Sequence, residues 1–432
     1  MVDKILGTFF SRIFVSIVMF CIVVINTNTF GAEGTGTIAL VVLAMTILQL
    51  FSNFVGGGAI VYFVPRYSFS QIVLLTYVWS LLSNTLGFLL LYFLHLIPQG
   101  FETILVALSF TNSIYYINNS LIQGKEKIKL YNKIQILQAV VLIVLFSVFI
   151  FIGNFFNFNL DVLYYLLALL ISYVIPVIIS LSFVIKNMDI LKKEGLQTLI
   201  KEAFQFGFWI QIANLAQQLN YRISYYFIEY YTGRKPLGIF ELGTKLSEVV
   251  WIFPKSVALV QYARLSNCED TQYAARITTS ILKIVFCFTL LAVLILLLIP
   301  SHAIGWVFGA DFIESKNIIY SLAPGIVFLS CLTIFSHHFS GFGKYWINAI
   351  SSVIGLIVTL VLSLILLPPT VAQGYMKTLQ MAGIITSVSY FSSLIFSFIL
   401  FLKQPDTSFK MLFIYKTDFL FFKNEIKKHL NK

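Results

Sequence analysis

Apolar runs close to 20 residues long recur from one end of this 432-residue chain to the other. A helix needs about 20 apolar residues to cross ~30 Å of hydrocarbon. With no water there to satisfy backbone N–H and C=O groups, such runs are helical. Twelve spans are predicted near residues 7–27, 37–63, 72–96, 103–122, 133–153, 162–185, 204–231, 238–262, 278–300, 317–338, 346–367 and 376–402. Only 11% of residues are charged, against about 25% in soluble domains, and the mean hydropathy is +0.89. The predicted fold class is an all-α polytopic membrane protein.

The first run, Gly7 to Asn26, follows Lys4, is longer than a signal-peptide core and is followed by no A-x-A-like site, so it reads as a retained first span. The net charge of +11 follows topology. With the N-terminus inside, and Lys133 and Lys377 at span edges counted with their loops, 20 Lys/Arg fall on the cytoplasmic side, 4 outside and 5 within spans. The positive-inside rule then places both termini in the cytoplasm. The basic balance therefore requires no nucleic-acid partner. The four cysteines lie far apart, with no C-x-x-C and no His/Cys cluster, so neither a disulfide framework nor a metal site is expected. His337 and His338 are adjacent, point to different helix faces and read as interfacial. No G-x-x-x-x-G-K-[ST] occurs, so no ATPase site is expected.

A repeat is visible. GAEGTGTIAL (Gly31 to Leu40) follows span one and GRKPLGIFEL (Gly233 to Leu242) follows span seven. QGKEKIKLYNKI follows span four and SGFGKYWINAI follows span ten, each with Gly-Lys. Two matches in the same order predict six helices plus six. Six is even, so the halves are parallel repeats about an axis along the membrane normal. The expected organisation is a lobe over 1–190, a linker over 191–203, a lobe over 204–402 and a basic interfacial tail over 403–432. Gly56, Gly57 and Gly58 are expected to allow close packing or a bend.

The functional candidates are the ionisable groups inside spans. Each costs about 2.5–3.5 kcal/mol at bilayer depth, so it faces protein or water and marks function by default. In span seven Gln211, Asn214, Gln218, Arg222, Tyr225 and Glu229 follow steps of three or four. In span eight Glu241, Lys245 and Glu248 do likewise, with Lys255 seven further on. Each set therefore lies on one helix face, and two such stripes imply a hydrated cleft. The first half offers Arg12 in span one and Gln49 and Asn53 in span two, with no carboxylate at depth. Arginine matches phosphate oxygens bidentately, and Asn, Gln and Tyr suit sugar hydroxyls. The candidate cavity is therefore Arg222, Lys245, Arg12, Gln218, Asn214, Tyr225, Gln49 and Asn53. Glu241, Glu248, Glu229 and Lys255 are candidates for ion coupling or for structural pairing. One structural reading pairs Glu241 with Lys245, and Arg222 with Glu229 or Glu241. No nucleophile or acid/base constellation converges, so no catalytic residue is assigned.

With these stretches in view, the chain resembles the polysaccharide flippases of the multidrug/oligosaccharidyl-lipid/polysaccharide (MOP) exporter superfamily, of the Wzx O-antigen type. FGAEGTGTIAL, QGKEKIKLYNKI, LNYRISYYFIEYYTGRKPLGIFELGTKLSE, WVFGADF, SGFGKYW and MAGIITSVSYFSSLIFSFI carry the resemblance in order. It implies a MATE/MurJ-like fold of about twelve helices in two lobes around a central cavity. It also implies transport of undecaprenyl-pyrophosphate-linked oligosaccharide from the cytoplasmic to the periplasmic leaflet of the bacterial inner membrane, for lipopolysaccharide biosynthesis. The unit would be a monomeric transporter without cofactors. Its partners would be the lipid-linked oligosaccharide, the bilayer and other polysaccharide-assembly membrane proteins. A cation-coupled multidrug exporter of the same superfamily is the alternative. An O-antigen polymerase or ligase fits less well, because no long outer loop is present.

Overall fold

Gly31 makes the first turn. In the computed structural model, which describes residues 2–190, 195–266, 270–404 and 406–412, helix α1 runs over Val2–Ser52 and bends at Gly31, whose φ of 61° and ψ of −163° are not helical. A positive φ is open to glycine at little cost. The two arms are the first two predicted spans, joined without an intervening loop. The second arm stops at Ser52, not at 63. Residues 53–57 are non-helical, Gly57 has φ 54°, and the short α2 (Gly58–Phe63) follows. The glycine triplet thus bends the chain next to Gln49 and Asn53.

The chain continues through α3 (Phe69–Phe93), α4 (Glu102–Gly124), α5 (Ile128–Phe156) and α6 (Val162–Lys186). Then come α7 (Leu196–Arg222), α8 (Ser224–Thr232), α9 (Arg234–Val249) and α10 (Ile252–Leu265). The last helices are α11 (Thr271–Leu298), α12 (Ser301–Phe308), α13 (Ser315–Gly341), α14 (Tyr345–Val371) and α15 (Tyr375–Leu402). No strand occurs among the described residues. Eight helical stretches there are long and apolar enough to cross a membrane. The first, Phe10–Ser52, holds both arms of α1. With α4 and the interrupted pairs α7–α8 and α9–α10, they account for the twelve predicted spans. The protein is a multi-pass membrane protein.

Spans seven and eight are each broken where the sequence reads as continuous. The first breaks at Ile223, directly after Arg222. The second breaks at Val250 and Trp251, whose N–H groups bond back only three residues, to Ser247 and Glu248. Pro254 explains this second break. It lacks an N–H for the carbonyl of Val250, and its ring crowds that carbonyl.

The described residues fall into two compact units. The first draws on Met1–Gln218, Tyr225–Glu241 and His302–Ile313, and the second on Leu219–Ser224, Leu242–Ser301 and Glu314–Lys432. In the first, Phe63, Phe69, Ile72, Leu121, Val184 and Leu199 form one buried apolar cluster. In the second, Val285, Ile334, Phe335, Phe339 and Phe401 form another. There, α13 and α14 both pack on α15. Lys316, nearly buried, donates to the carbonyls of Leu296, Leu297 and Ile299 at 3.2, 2.7 and 2.6 Å. It thereby satisfies carbonyls that the end of α11 leaves open.

The repeat is present in the backbone. Gly31 and Gly233 both have positive φ, 61° and 89°. A Cβ on Gly36 would lie 2.1 Å from the Arg234 oxygen, and one on Gly238 would lie 1.8 Å from the Ala32 oxygen. Ala32 follows Gly31 as Arg234 follows Gly233, so the second arm of α1 and α9 cross reciprocally, each glycine against its counterpart's first turn. The Gly-Lys match needs a shift in register. Lys127 and Lys344 occupy the same position before α5 and α14, with φ/ψ of −83°/54° and −85°/50°. Glu126 and Gly343 precede them with φ 56° and 70°. The equivalents are therefore Gly124 with Gly341 and Lys127 with Lys344, not Gly124-Lys125 with Gly343-Lys344.

Residues 191–194 of the expected linker lie outside the described residues, and the rest of it begins α7. Residues 413–432 of the expected interfacial tail also lie outside. Asp189, just after α6, caps α3 from a distance. Its carboxylate accepts from the Ser68 hydroxyl at 2.7 Å and from the Phe69 and Ser70 N–H groups at 3.2 and 2.9 Å. The Ser70 N–H leads the donors that hold this carboxyl well below the usual range. A depressed folded-state pKa adds stability that is present above the unfolded value near 3.9 and lost as pH falls through the folded one. Asp189→Asn is therefore expected to lower the unfolding temperature at pH 7 and to narrow its gap from wild type in acid. A gap that stays constant down to pH 3 would contradict this account.

Candidate functional site

Arg222 ends α7, and its Nη2 lies 2.7 Å from Oε2 of Glu248 on α9. Their side chains are 18% and 22% exposed, so the pair is neither fully solvated nor sealed. Three carboxylates lie within sequence reach of Arg222, and Glu248 lies within ion-pair distance of it. Glu229 instead lies 3.4 Å from the Arg234 guanidinium. Glu241, buried, accepts from the Tyr225 hydroxyl. The ion pair seen for Arg222 is thus with Glu248, a partner that the spacing had not singled out.

Lys255 joins the cluster from α10. Its ammonium sits 3.5 Å over the centre of the Trp251 ring and is close enough to interact electrostatically with Glu248 and Arg222. Trp251 is fixed by donating from its indole N–H to Thr333 at 2.8 Å. Tyr221 packs edge-on against Trp251 and Tyr390, with centroids 5.5 and 5.7 Å apart. Two cations and one carboxylate thus stand at the interruptions of two spans, beside an aromatic wall. Interrupted helices within spans are how transporters commonly expose polar groups to cargo.

Beneath them, Asn220 is buried and its Oδ1 accepts from the hydroxyls of Thr359 and Ser389 at 2.8 and 2.7 Å. This anchors the last turn of α7 to α14 and α15. Sequence reading did not select Asn220, Tyr221, Trp251 or Tyr390. Trp251 could have been found: it follows Glu248 by three residues and precedes Lys255 by four, on the same stripe.

The remaining candidates are placed as follows. Gln49 is buried, accepts from Asn112 and donates to Asn53 at 3.4 Å, forming an amide chain at the break after α1. Arg12 is exposed on the first arm of α1. Asn214 is exposed and donates to Gln211 at 3.3 Å, while Gln218 is half-buried. Lys245 is half-buried on α9, between Glu241 and Glu248. Among the described residues no group of His, Cys, Asp and Glu could hold a metal ion.

A helical membrane protein with two interrupted, charged spans and an internal repeat is the class these features define. Residues 1–266 match the polysaccharide biosynthesis protein family. The chain belongs to that family. Its fold is shared with an inward-facing multidrug-resistance MATE transporter of the MOP superfamily, at 14% identity and TM-score 0.69, over 89% of this chain and 94% of that one. It is shared equally with the lipid II flippase MurJ in an inward closed conformation, at 14% identity and TM-score 0.67, over all of both chains. An outward-facing MATE transporter matches at 16% identity and TM-score 0.58, over 94% and 97%. No curated protein sequence matches the chain.

Proposed function

We propose that the protein is a flippase. In this reading it carries an undecaprenyl-pyrophosphate-linked O-antigen repeat unit from the cytoplasmic to the periplasmic leaflet of the inner membrane. The observation that carries this is the Arg222–Glu248–Lys255 cluster, with its excess positive charge at two interrupted spans. A diphosphate offers oxygens that a guanidinium binds bidentately. It would take Arg222 from Glu248 and draw on Lys255. Membership of the polysaccharide biosynthesis family supports the substrate class, and the fold shared with a lipid II flippase supports the mode of action.

The multidrug alternative needs a carboxylate open to a cation. Glu248 is held by Arg222 and Glu241 by Tyr225, which favours the lipid-linked substrate. The test is reconstitution of the full chain in liposomes with a fluorescent undecaprenyl-diphosphate oligosaccharide. Protein-dependent access of a quencher to the label on both leaflets is expected. A rate no higher than in protein-free liposomes would overturn the flippase reading.

A further inference from the structure

The turn between α4 and α5 carries more charge than its fold requires. Lys127, Lys129 and Lys133 on this turn and the start of α5 converge with Lys186 at the end of α6 on one cleft of about 720 Å³. Among the described residues Glu126 is the one acidic residue lining it, so there four lysines against one glutamate leave +3. Among the described residues, none of the four ammonium groups has an ion-pair or hydrogen-bond partner. Lys125, by contrast, is engaged over the Phe69 ring.

The repeat shows that these charges are not structural. The turn before α14 has the same backbone geometry, yet where the first half has Lys129 and Lys133 it has Trp346 and Ile350. A positive-inside bias accounts for lysines on this side of the membrane, but not for their meeting at one cleft unpaired. The start of α5 adds to the field, with no acidic residue in its first turn and no side-chain cap. Ile128, Leu130 and Phe183 give the same cleft an apolar part. α5 and α6 are both candidate spans whose surfaces are largely unburied, so the cleft opens where lipid headgroups meet the helices. Basic clefts of this kind suit multiply charged headgroups.

We propose that this cleft binds the headgroup of a membrane lipid carrying two phosphate charges. Both cardiolipin, with two phosphodiesters, and an undecaprenyl diphosphate carry that chemistry. The ammonium groups bind the phosphate oxygens, and Phe183 meets the first acyl or prenyl carbons. The site is separate from Arg222 and does not depend on the flippase reading.

Native mass spectrometry of the detergent-purified full chain tests it, with cardiolipin, phosphatidylglycerol, undecaprenyl diphosphate and inorganic pyrophosphate as probes. Retention of cardiolipin, of undecaprenyl diphosphate or of both is expected, at lower concentration than phosphatidylglycerol. Cardiolipin alone identifies a phospholipid site, and undecaprenyl diphosphate alone identifies a station for lipid-linked cargo. Lys129→Gln with Lys133→Gln is expected to weaken retention about thirtyfold, at roughly 1 kcal/mol per lysine. Lys→Arg at both positions should retain it, as should Lys344→Gln at the repeat-equivalent of Lys127. Equal retention by wild type and the Gln variant overturns the proposal, as does inorganic pyrophosphate competing as well as the lipid.

Discussion

Gly238→Val is expected to be among the most damaging single substitutions in the chain, and Gly36→Val its near equal. At Gly238 even a Cβ would lie 1.8 Å from the Ala32 oxygen, and at Gly36 2.1 Å from the Arg234 oxygen. Both obstacles are backbone atoms, so no side chain can rotate away. The helices must part by more than 1 Å or so, which forfeits close packing along the whole crossing. Overpacking a well-filled site costs roughly 1–3 kcal/mol even where side chains can yield, so a loss at or above the top of that range is expected. Small residues matter more here than in water, because lipid supplies no hydrophobic drive to press helices together. Gly374→Ala is the control: its φ of 101° is strained for alanine, but nothing lies within 4 Å of the added carbon. Unfolding temperature in detergent should fall by several degrees for Gly238→Val and far less for Gly374→Ala. Once the helices have parted, the second clash costs less. Gly36→Ala with Gly238→Ala should therefore lose less than the sum of the two singles. An unchanged unfolding temperature in Gly238→Val would refute the reciprocal crossing.

What the sequence conveyed depended on whether a feature has a local cause. Span positions follow from hydropathy, and the repeat was readable because Gly31 and Gly36 recur with the same spacing as Gly233 and Gly238. That the second glycine of each pair meets the other copy was not readable, since a glycine in a turn and one at a helix crossing look alike. The second match went out of register because the Gly-Lys pairs aligned as text. In the backbone, Glu126 takes the left-handed conformation that Gly343 takes in the other half, and a non-glycine there conceals the correspondence. Arg222 stood out from its cost in hydrocarbon. Its partner did not, because Glu229, Glu241 and Glu248 all lie at plausible helical steps. The break caused by Pro254 places Glu248 within a turn of an interrupted end, and the Tyr225 hydroxyl donates to Glu241. Asn220 stayed hidden among many neutral polar residues because the hydroxyls it meets lie some 140 and 170 residues away in sequence.

Arg222→Ala is expected to abolish transport, and a charge swap separates the two reasons why it would. Removing one partner of a buried pair costs about 3–5 kcal/mol, whereas exposed pairs contribute about 0–1 kcal/mol. With side chains about a fifth exposed, the Arg222–Glu248 pair falls between, so a loss of about 1–3 kcal/mol is expected for Arg222→Ala. Part of any functional defect would then come from stability alone. Arg222→Glu with Glu248→Arg re-forms an ion pair between α7 and α9 and should recover most of that stability. It moves the guanidinium from the end of α7, above the Asn220 anchor, to α9. If Arg222 only holds the two helices together, the swap restores flipping in liposomes and surface polysaccharide in cells. If Arg222 receives the diphosphate, the swapped protein unfolds near the wild-type temperature yet stays inactive. Inactivity with restored stability is the expected result. Lys255→Met should show an intermediate defect, since it removes the second cation and leaves the Arg222–Glu248 pair intact. Its indole partner Trp251 remains fixed by Thr333, so little stability should be lost. Recovery of transport in the swapped protein would return Arg222 to a structural role and leave Lys255 as the cation to examine for substrate contact.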